Sequence, residues 1–325
     1  AWAWGKAQQV FSNASDPDGK KVTAEWPVFI QETNMVALTI QASGGASIAL
    51  RIYEPDSPDR GSVVIGGAMG VRQDFYAPFA QWLSRQGWRV ATFDYRGSGD
   101  SVPNTSNGSL RGFKADLFDW TRDYEAAIDH AHASLPQQPL YLLGHSLGAQ
   151  LPGLINNKHK VSGLLSVAAG SGYWRENAPQ LKRIVPYFWF FLVPLATRLC
   201  GYFPGRRLKK VGDLPAGVIM QWRKWCLNPR YSVGAEGETV RLRYANVTFP
   251  VLALSITDDE LMTLRGTHSL INLYENAPRE VQCIAPADLA VRRIGHFGPF
   301  RREHEALLWP RIGQWFNGLA RPVTA

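Results

Sequence analysis

The sequence predicts an α/β protein with a mostly parallel sheet, helices on both faces of the sheet and an inserted helical cap. Two observations support this fold class. Short apolar runs alternate with helical patterns, as at Phe118–His132 and Leu140–Leu143, and this alternation is typical of parallel strands joined by helices. The alternation stops between residues 171 and 246, where the chain is aromatic, basic and rich in proline, and it resumes at Val251–Ser255. One large domain that carries an insertion is therefore expected.

Each element of the predicted sheet follows from a local pattern. Two β-rich runs, Met35–Gln41 and Ser47–Tyr53, flank Ala-Ser-Gly-Gly-Ala and predict an opening hairpin. The other predicted elements are strand Val63–Ile65, helix Tyr76–Gln86, strand Arg89–Phe93, helix Phe118–His132, strand Leu140–Leu143, helix Gly148–Asn156, strand Val161–Ala168, strand Val251–Ser255, a helix near Thr267–Tyr274, a weaker strand near Glu280–Ala285 and a last helix around Arg301–Phe316. The predicted organisation is an N-terminal extension (1–33), a core (34–170 and 247–320) and a cap (171–246).

Composition and charge indicate an ordinary globular protein. Of the 325 residues, 45% are hydrophobic and 19% are charged, and the net charge is +8. The sequence has no zinc-knuckle spacing or other signature of nucleic-acid binding. The cysteines at positions 200, 226 and 283 are odd in number and far apart, so neither a disulfide framework nor a zinc site is expected. A cytoplasmic location fits this cysteine pattern and the N-terminal segment, which lacks the apolar core of a signal peptide.

The apolar run Ile184–Leu199 lies inside the predicted cap. It is shorter than the ~20 residues that a membrane-spanning helix needs, and Pro186 and Pro194 interrupt it. The run therefore predicts a buried or interfacial helix. The cap also carries many aromatic side chains, which predict either an apolar acyl pocket, a lid that meets lipid, or simple packing of the cap onto the core.

The sequence Gly144-His145-Ser146-Leu147-Gly148 matches the pattern G-x-S-x-G. It lies between a predicted strand and a predicted helix, as a strand-to-helix elbow requires. Glycines at both ends avoid clashes in such a sharp turn, and the following helix N-terminus favours a developing negative charge. Ser146 is therefore the candidate nucleophile, and the alternative is a tight turn that holds a buried serine.

A serine nucleophile needs a base and a carboxylate that orients the base. Among seven histidines, His296 lies in a Gly-flanked loop after the last predicted strand and is the candidate base. Asp258 and Asp259 both follow the strand Val251–Ser255, and both are candidate acids.

Two backbone N–H groups are expected to bind the oxyanion. One belongs to Leu147, directly after the candidate nucleophile. The other comes from the loop after Ile65, where Ala68 is the first choice and Met69 is the alternative, because Gly66, Gly67 and Gly70 allow close approach of the backbone. The competing interpretation of this loop is a plain strand–helix turn.

These motifs, in this order, resemble the α/β-hydrolase superfamily and especially its serine aminopeptidase S33 and monoglyceride-lipase-like branch. The resemblance covers about Met35 to Phe316. It implies the α/β-hydrolase fold and the catalytic order Ser146, Asp259, His296, because the family's acid lies at the ninth position after a proline, here Pro250. The sequence departs from the family at Gly66, where His is usual, at Ile256, where Gly is usual, and at Thr263, where Pro is frequent.

The resemblance implies a serine hydrolase that cleaves a carboxylic ester through an acyl-enzyme on Ser146, without a metal or an organic cofactor. The same triad would also serve a peptidase, a thioesterase or an acyltransferase, and a non-catalytic ligand-binding protein of this fold is a further alternative. The expected partner is a small, apolar acyl substrate rather than a nucleic acid. Peripheral membrane contact through the cap is a further expectation, whereas no oligomeric state is predicted.

Overall fold

The computed structural model describes residues 34–58, 60–102 and 109–319. The predicted N-terminal extension, residues 1–33, lies outside the described residues. The strands are β1 Met35–Ala42, β2 Ala46–Tyr53, β3 Ser62–Gly66, β4 Arg89–Phe93, β5 Leu140–His145, β6 Gly163–Val167, β7 Tyr202–Phe203, β8 Leu214–Pro215, β9 Val251–Ile256 and β10 Arg279–Ile284. The α-helices are α1 Ala77–Ser84, α2 Leu117–Ser134, α3 Leu147–Gln150, α4 Pro179–Lys182, α5 Val185–Tyr187, α6 Val193–Cys200, α7 Ala216–Leu227, α8 Tyr231–Glu236, α9 Glu238–Ala245, α10 Leu264–Ile271 and α11 Trp309–Leu319.

The central sheet has eight strands in the order β1-β2-β4-β3-β5-β6-β9-β10. Strands β1 and β2 pair antiparallel, as do β2 and β4, and every other neighbouring pair is parallel. The predictions of an opening hairpin and of a mostly parallel sheet are therefore confirmed. The carboxyl ends of β3, β5 and β9 lie at one edge of the sheet, which is where polar side chains from different strands can meet.

Helices cover both faces of this sheet. Successive side chains of β3 alternate between two apolar cores, since Val64 packs with α2 on one face and Val63 with α1 and α11 on the other. A strand that is buried on both faces reads as a continuous apolar run, and β3, β5 and β6 do so. Helix α2 begins with a capping box in which Asp116 and Asp119 each accept the other's backbone N–H.

Two predicted helices have different bounds, and prolines explain both. The helix predicted at Gly148–Asn156 is only the four-residue α3 followed by a 3₁₀ turn, because Pro152 has no N–H for the next helical hydrogen bond. The helix predicted from Arg301 begins at Trp309. Pro310 cannot donate back to an earlier turn, but it suits the first turn of a new helix.

Residues 171–246 form an insert between β6 and β9 that contains helices α4 to α9. The insert also contains a pair of two-residue strands that the sequence pattern did not indicate, because Tyr202 and Phe203 pair antiparallel with Pro215 and Leu214. The predicted helix Ile184–Leu199 is continuous helical backbone made of α5, a π-helical turn at Phe188–Leu192 and α6. Pro194 lacks the N–H that a regular α-helix would use there, which accounts for the π turn. Within the described residues, no helix has the length and apolar character needed to cross a membrane.

Candidate active site

Ser146 lies on the sharp turn between β5 and α3. Its backbone has a positive φ of 54° with ψ −114°, which is costly for a residue other than glycine and is typical of strained functional sites. A Cβ atom on Gly144 would overlap the backbone of Ala149, and one on Gly148 would overlap the carbonyl group of Gly66. The elbow therefore requires both glycines of the motif and places α3 directly against the end of β3.

We expect Gly148→Ala to destabilise the protein by about 2 kcal/mol, a typical cost of overpacking. Helix propensity alone would stabilise the alanine variant by up to ~1 kcal/mol. A loss of stability would therefore reveal the clash with Gly66. Urea denaturation would measure the free energy of unfolding. Gly318→Ala in α11 is the matched control, because among the described residues no atom beyond its own turn of helix lies within 4 Å of a Cβ at that position. Equal stability of the Gly148→Ala variant and the wild type would contradict the close contact.

His296 and Asp259 form a buried pair. The imidazole Nδ1 lies 2.8 Å from Asp259 Oδ2, and the two side chains are only 2% and 1% exposed. The other carboxylate oxygen, Oδ1, accepts the backbone N–H groups of Leu261 and Met262 at 2.7 and 2.9 Å. Because a carboxylate only accepts, Nδ1 carries the proton and Nε2 keeps its lone pair. His296 is thus held in the tautomer that a general base needs.

The two acids that flank Asp259 bind the backbone of residues 294–296, which we call the histidine loop. Asp258 accepts the N–H groups of Ile294 and Gly295 at 2.9 and 3.0 Å. Glu260 accepts the N–H of His296 at 3.1 Å. Of the two aspartates that the sequence left open, the structure therefore places Asp259 on the imidazole and Asp258 on the backbone.

Glu260 adds charge to this acidic turn. Burial raises the pKa of Glu260, but the N–H groups of Glu260 and His296 and the neighbouring Arg293 lower it, and the net result is a pKa below the ordinary glutamate value. The carboxylate therefore stays ionised, and keeps its hydrogen bond to the histidine loop, at lower pH than an ordinary glutamate would. The sequence did not reveal this second role of the acidic run, because it depends on the turn that follows β9.

The histidine loop contacts the elbow through His145. His145 Nε2 lies 3.0 Å from the carbonyl oxygen of His296, and the centroids of the two rings are 5.0 Å apart. Within the described residues, the Ser146 hydroxyl makes no hydrogen bond to His296. Such catalytic hydrogen bonds are often long before substrate binds.

The two expected oxyanion donors differ in their surroundings. Leu147 is the first residue of α3, so its N–H has no partner within the helix. The N–H of Ala68 instead donates to the hydroxyl of Tyr76 at 2.8 Å. This N–H is therefore not free to donate to a substrate. Met69, the alternative in this loop, has an N–H without a hydrogen-bond partner in the described part of the chain. The contact with Tyr76 therefore favours Met69 over Ala68 as the second donor.

The insert reaches the loop that carries Met69. The backbone of Gly212 approaches Gly70 so closely that a Cβ on Gly70 would lie 2.5 Å from the Gly212 nitrogen. Farther along the insert, the Tyr231 hydroxyl donates to Gln150 Oε1 of α3 at 2.6 Å. The insert therefore touches both segments that supply candidate oxyanion donors.

Comparison with known proteins places this geometry in a family. Residues 57–287 match the sequence profile of the family described as serine aminopeptidase, S33. The chain belongs to this S33 family of hydrolases. It is 30% identical to a monoacylglycerol lipase of Mycolicibacterium smegmatis over 248 residues, covering 70% of this chain and 81% of that lipase. It is also 32% identical to the lysophosphatidylserine lipase ABHD12 of Gallus gallus over 125 residues, or 35% of this chain and 30% of the relative.

Solved structures agree on the fold of this S33-family protein. A soluble variant of monoglyceride lipase from Saccharomyces cerevisiae superposes with a TM-score of 0.62 at 17% identity, covering 90% of this chain and 98% of the other. A carboxyl esterase from Bacillus coagulans gives a TM-score of 0.62 at 14% identity, with 88% and 99% covered. The α/β-hydrolase fold expected from the motifs is confirmed.

Proposed function

We propose that this S33-family hydrolase cleaves carboxylic esters through an acyl-enzyme on Ser146, with His296 as the base and Asp259 as the acid that orients it. The observation that carries the proposal is the buried His296–Asp259 hydrogen bond beside a serine in a strained elbow. The monoacylglycerol lipase and the lysophosphatidylserine lipase among the similar proteins support an ester substrate. The filled triad positions argue against a purely ligand-binding role.

The proposed chemistry follows from the tautomer of His296. Nε2 takes the Ser146 proton as Oγ attacks the ester carbonyl carbon. The N–H groups of Leu147 and Met69 bind the resulting oxyanion. The imidazolium, stabilised by Asp259, then gives its proton to the departing alcohol. A water molecule deprotonated by His296 attacks the acyl-enzyme, and Ser146 leaves with the proton, so that the base returns to its first state.

The aromatic side chains of the insert divide into two groups. Trp189, Phe203, Trp225 and Tyr231 are buried within the larger apolar core, so they pack the insert onto the sheet. Tyr187, Phe190 and Phe191 are more than half exposed. We propose that the insert acts as a cap, because it contacts the loop of Met69 and helix α3, and that the bound acyl group is apolar.

A graded series of p-nitrophenyl esters tests the proposed function. We expect turnover by the wild type that depends on acyl length, together with a fluorophosphonate adduct on the peptide that contains Ser146. The length that gives the highest kcat/KM would define the size of the acyl pocket. A well-folded protein that hydrolyses thioesters or aminoacyl amides much faster than every ester would contradict the ester assignment. An adduct on a different serine would contradict the assignment of the nucleophile.

We also propose that the insert docks on an anionic lipid surface. Six of the twelve large hydrophobic side chains that are exposed in the described structure lie on the single stretch 184–199, and their spacing of three to four residues puts them on one helical face. They are Ile184, Tyr187, Phe190, Phe191, Leu195 and Leu199. Between residues 177 and 212 the sequence has seven Lys and Arg residues and no acid. Arg206 pairs with Asp213 just outside this range, and the remaining excess of positive charge beside an apolar face is typical of contact with anionic membranes.

Phe191→Asp should reduce binding to vesicles of phosphatidylglycerol and phosphatidylcholine by about 10-fold or more, because burial of a phenylalanine contributes about 1.5–3 kcal/mol. Co-sedimentation at low and high salt would measure it, and binding should weaken as salt rises. Leu307→Asp, which changes an exposed leucine outside the insert, is the matched control. Equal loss in both variants, a Phe191→Asp variant that binds like the wild type, or self-association without vesicle binding would each contradict lipid docking.

A cytoplasmic location belongs to the same proposal. Cys200, Cys226 and Cys283 are free thiols in the described structure. Unpaired cysteines are typical of a reducing compartment.

A further inference from the structure

We propose that Tyr76 and His145 form a hydrogen-bonded relay. The relay positions the histidine loop and the loop that carries Ala68 and Met69 relative to each other. The proposal rests on the function proposed above and adds two positioning residues to it. Neither residue touches the substrate in the chemistry described. Their effect would act through the carbonyl of His296 and the N–H of Ala68, the residue before Met69.

The direction of every hydrogen bond in the relay is fixed. The carbonyl oxygen of His296 can only accept, so His145 Nε2 carries a proton and donates to it. In a neutral ring, Nδ1 then has the lone pair and accepts the Tyr76 hydroxyl proton at 2.8 Å. The same Tyr76 oxygen accepts the N–H of Ala68 at 2.8 Å. One chain of three hydrogen bonds thus runs from the backbone of His296 to the residue before Met69.

The surroundings keep both side chains in the protonation states that the relay requires. Burial, with a smaller contribution from the nearby His296, holds the pKa of His145 well below its ordinary value, so the ring is neutral. Burial also raises the pKa of the Tyr76 hydroxyl, which therefore keeps its proton. Tyr76 and His145 are 1% and 0% exposed, so water does not replace either partner.

Packing leaves the relay little freedom to move. The ring of Phe300 lies 5.1 Å from the Tyr76 ring and 4.9 Å from the His145 ring, centroid to centroid. The ring of Phe75 stacks on the His145 ring with a centroid distance of 6.5 Å. Because His145 also precedes Ser146 in the chain, a single rigid unit fixes the nucleophile, the base and the loop of the second oxyanion donor. Preorganised donors of this kind act on the transition state more than on the bound substrate.

Tyr76→Phe is the direct test, because it keeps the ring and removes the hydroxyl. We expect kcat to fall about 10- to 100-fold while KM changes less than two-fold, since small displacements of catalytic groups have costs of this size. Tyr95→Phe is the matched control, because its buried hydroxyl has no hydrogen-bond partner in the described structure. We expect that variant to keep wild-type kcat.

His145 supplies a second test. The amide of His145→Gln can still donate to His296 and accept from Tyr76, so it should retain more kcat than His145→Leu. Nitrogen-15 NMR of the resting wild-type protein should show His145 as a neutral ring protonated at Nε2, and Tyr76→Phe should shift its Nδ1 resonance.

Three results would overturn the relay: an Nδ1-protonated or charged His145, a Tyr76→Phe variant with wild-type kcat, or equal activity of the glutamine and leucine variants. Absence of ester hydrolysis by the wild type would instead overturn the proposed function. In that case the NMR measurement would still decide whether the hydrogen-bonded chain exists.

Discussion

Replacement of Ser146 by alanine should lower kcat for ester hydrolysis by about 10⁶-fold, the size of effect seen when the nucleophile of a serine hydrolase triad is removed. No other hydroxyl group occupies the elbow, so the acyl-enzyme could not form. Steady-state kinetics with the best p-nitrophenyl ester, together with thermal unfolding to verify the fold, would measure the loss. An alanine would adopt the strained backbone at φ 54° at a cost similar to that of serine. The free energy of unfolding should therefore change little.

Ser166→Ala provides a control in the neighbouring strand. The Ser166 hydroxyl is buried and has no hydrogen-bond partner in the described structure, so its removal should leave kcat near the wild-type value. Activity above about 1% of wild type in the Ser146→Ala variant, after contamination is excluded, would refute the assigned nucleophile, because the oxyanion hole and substrate binding alone leave far less activity than that.

The second large effect is expected for Asp259→Asn, with a loss of about 10⁴-fold in kcat. In the wild type, Oδ1 accepts two backbone N–H groups, from Leu261 and Met262. An asparagine at this position must keep its carbonyl oxygen there, so its NH₂ group would face His296 Nδ1. The imidazole would then carry its proton on Nε2, where it cannot accept the proton of Ser146.

Asp258→Asn is the matched variant at the adjacent acid. In the described structure Asp258 accepts the backbone N–H groups of Ile294 and Gly295, and an asparagine oxygen can still accept one of them. We therefore expect a loss of kcat of about 10-fold or less, from looser positioning of the histidine loop. A greater loss for Asp258→Asn than for Asp259→Asn would assign the orienting acid to Asp258.

The sequence alone predicted those features of the fold and the site that depend on residues close together in the chain. Buried parallel strands such as β5 read as apolar runs, and the elbow glycines follow from the geometry of one turn. Pro152 and Pro310 also mark helix boundaries in the sequence, because proline removes a defined hydrogen bond. The predicted helices nevertheless continued across both prolines. These features depend on few neighbours in the chain.

The remaining features depend on contacts between distant segments. Ala68 was preferred over Met69 because nothing in the loop shows that the Tyr76 hydroxyl folds back onto the Ala68 N–H. The contact of His145 with the carbonyl of His296 was missed for the same reason, since the two residues are 151 positions apart in the chain. Whether the stretch 184–199 faces the core or the solvent likewise depends on the packing of the whole insert.

The contact between Gly70 and Gly212 bears on how this hydrolase could diversify. The two segments of the chain contact each other there through their backbones, and a Cβ on Gly212 would lie 2.5 Å from the carbonyl oxygen of Gly70. Side chains elsewhere in the insert can therefore vary without displacing the loop that holds Met69. We therefore expect substitutions of insert side chains that lie away from this contact, and away from the contact of Tyr231 with Gln150, to change selectivity without moving the Met69 loop, as long as these two glycines persist.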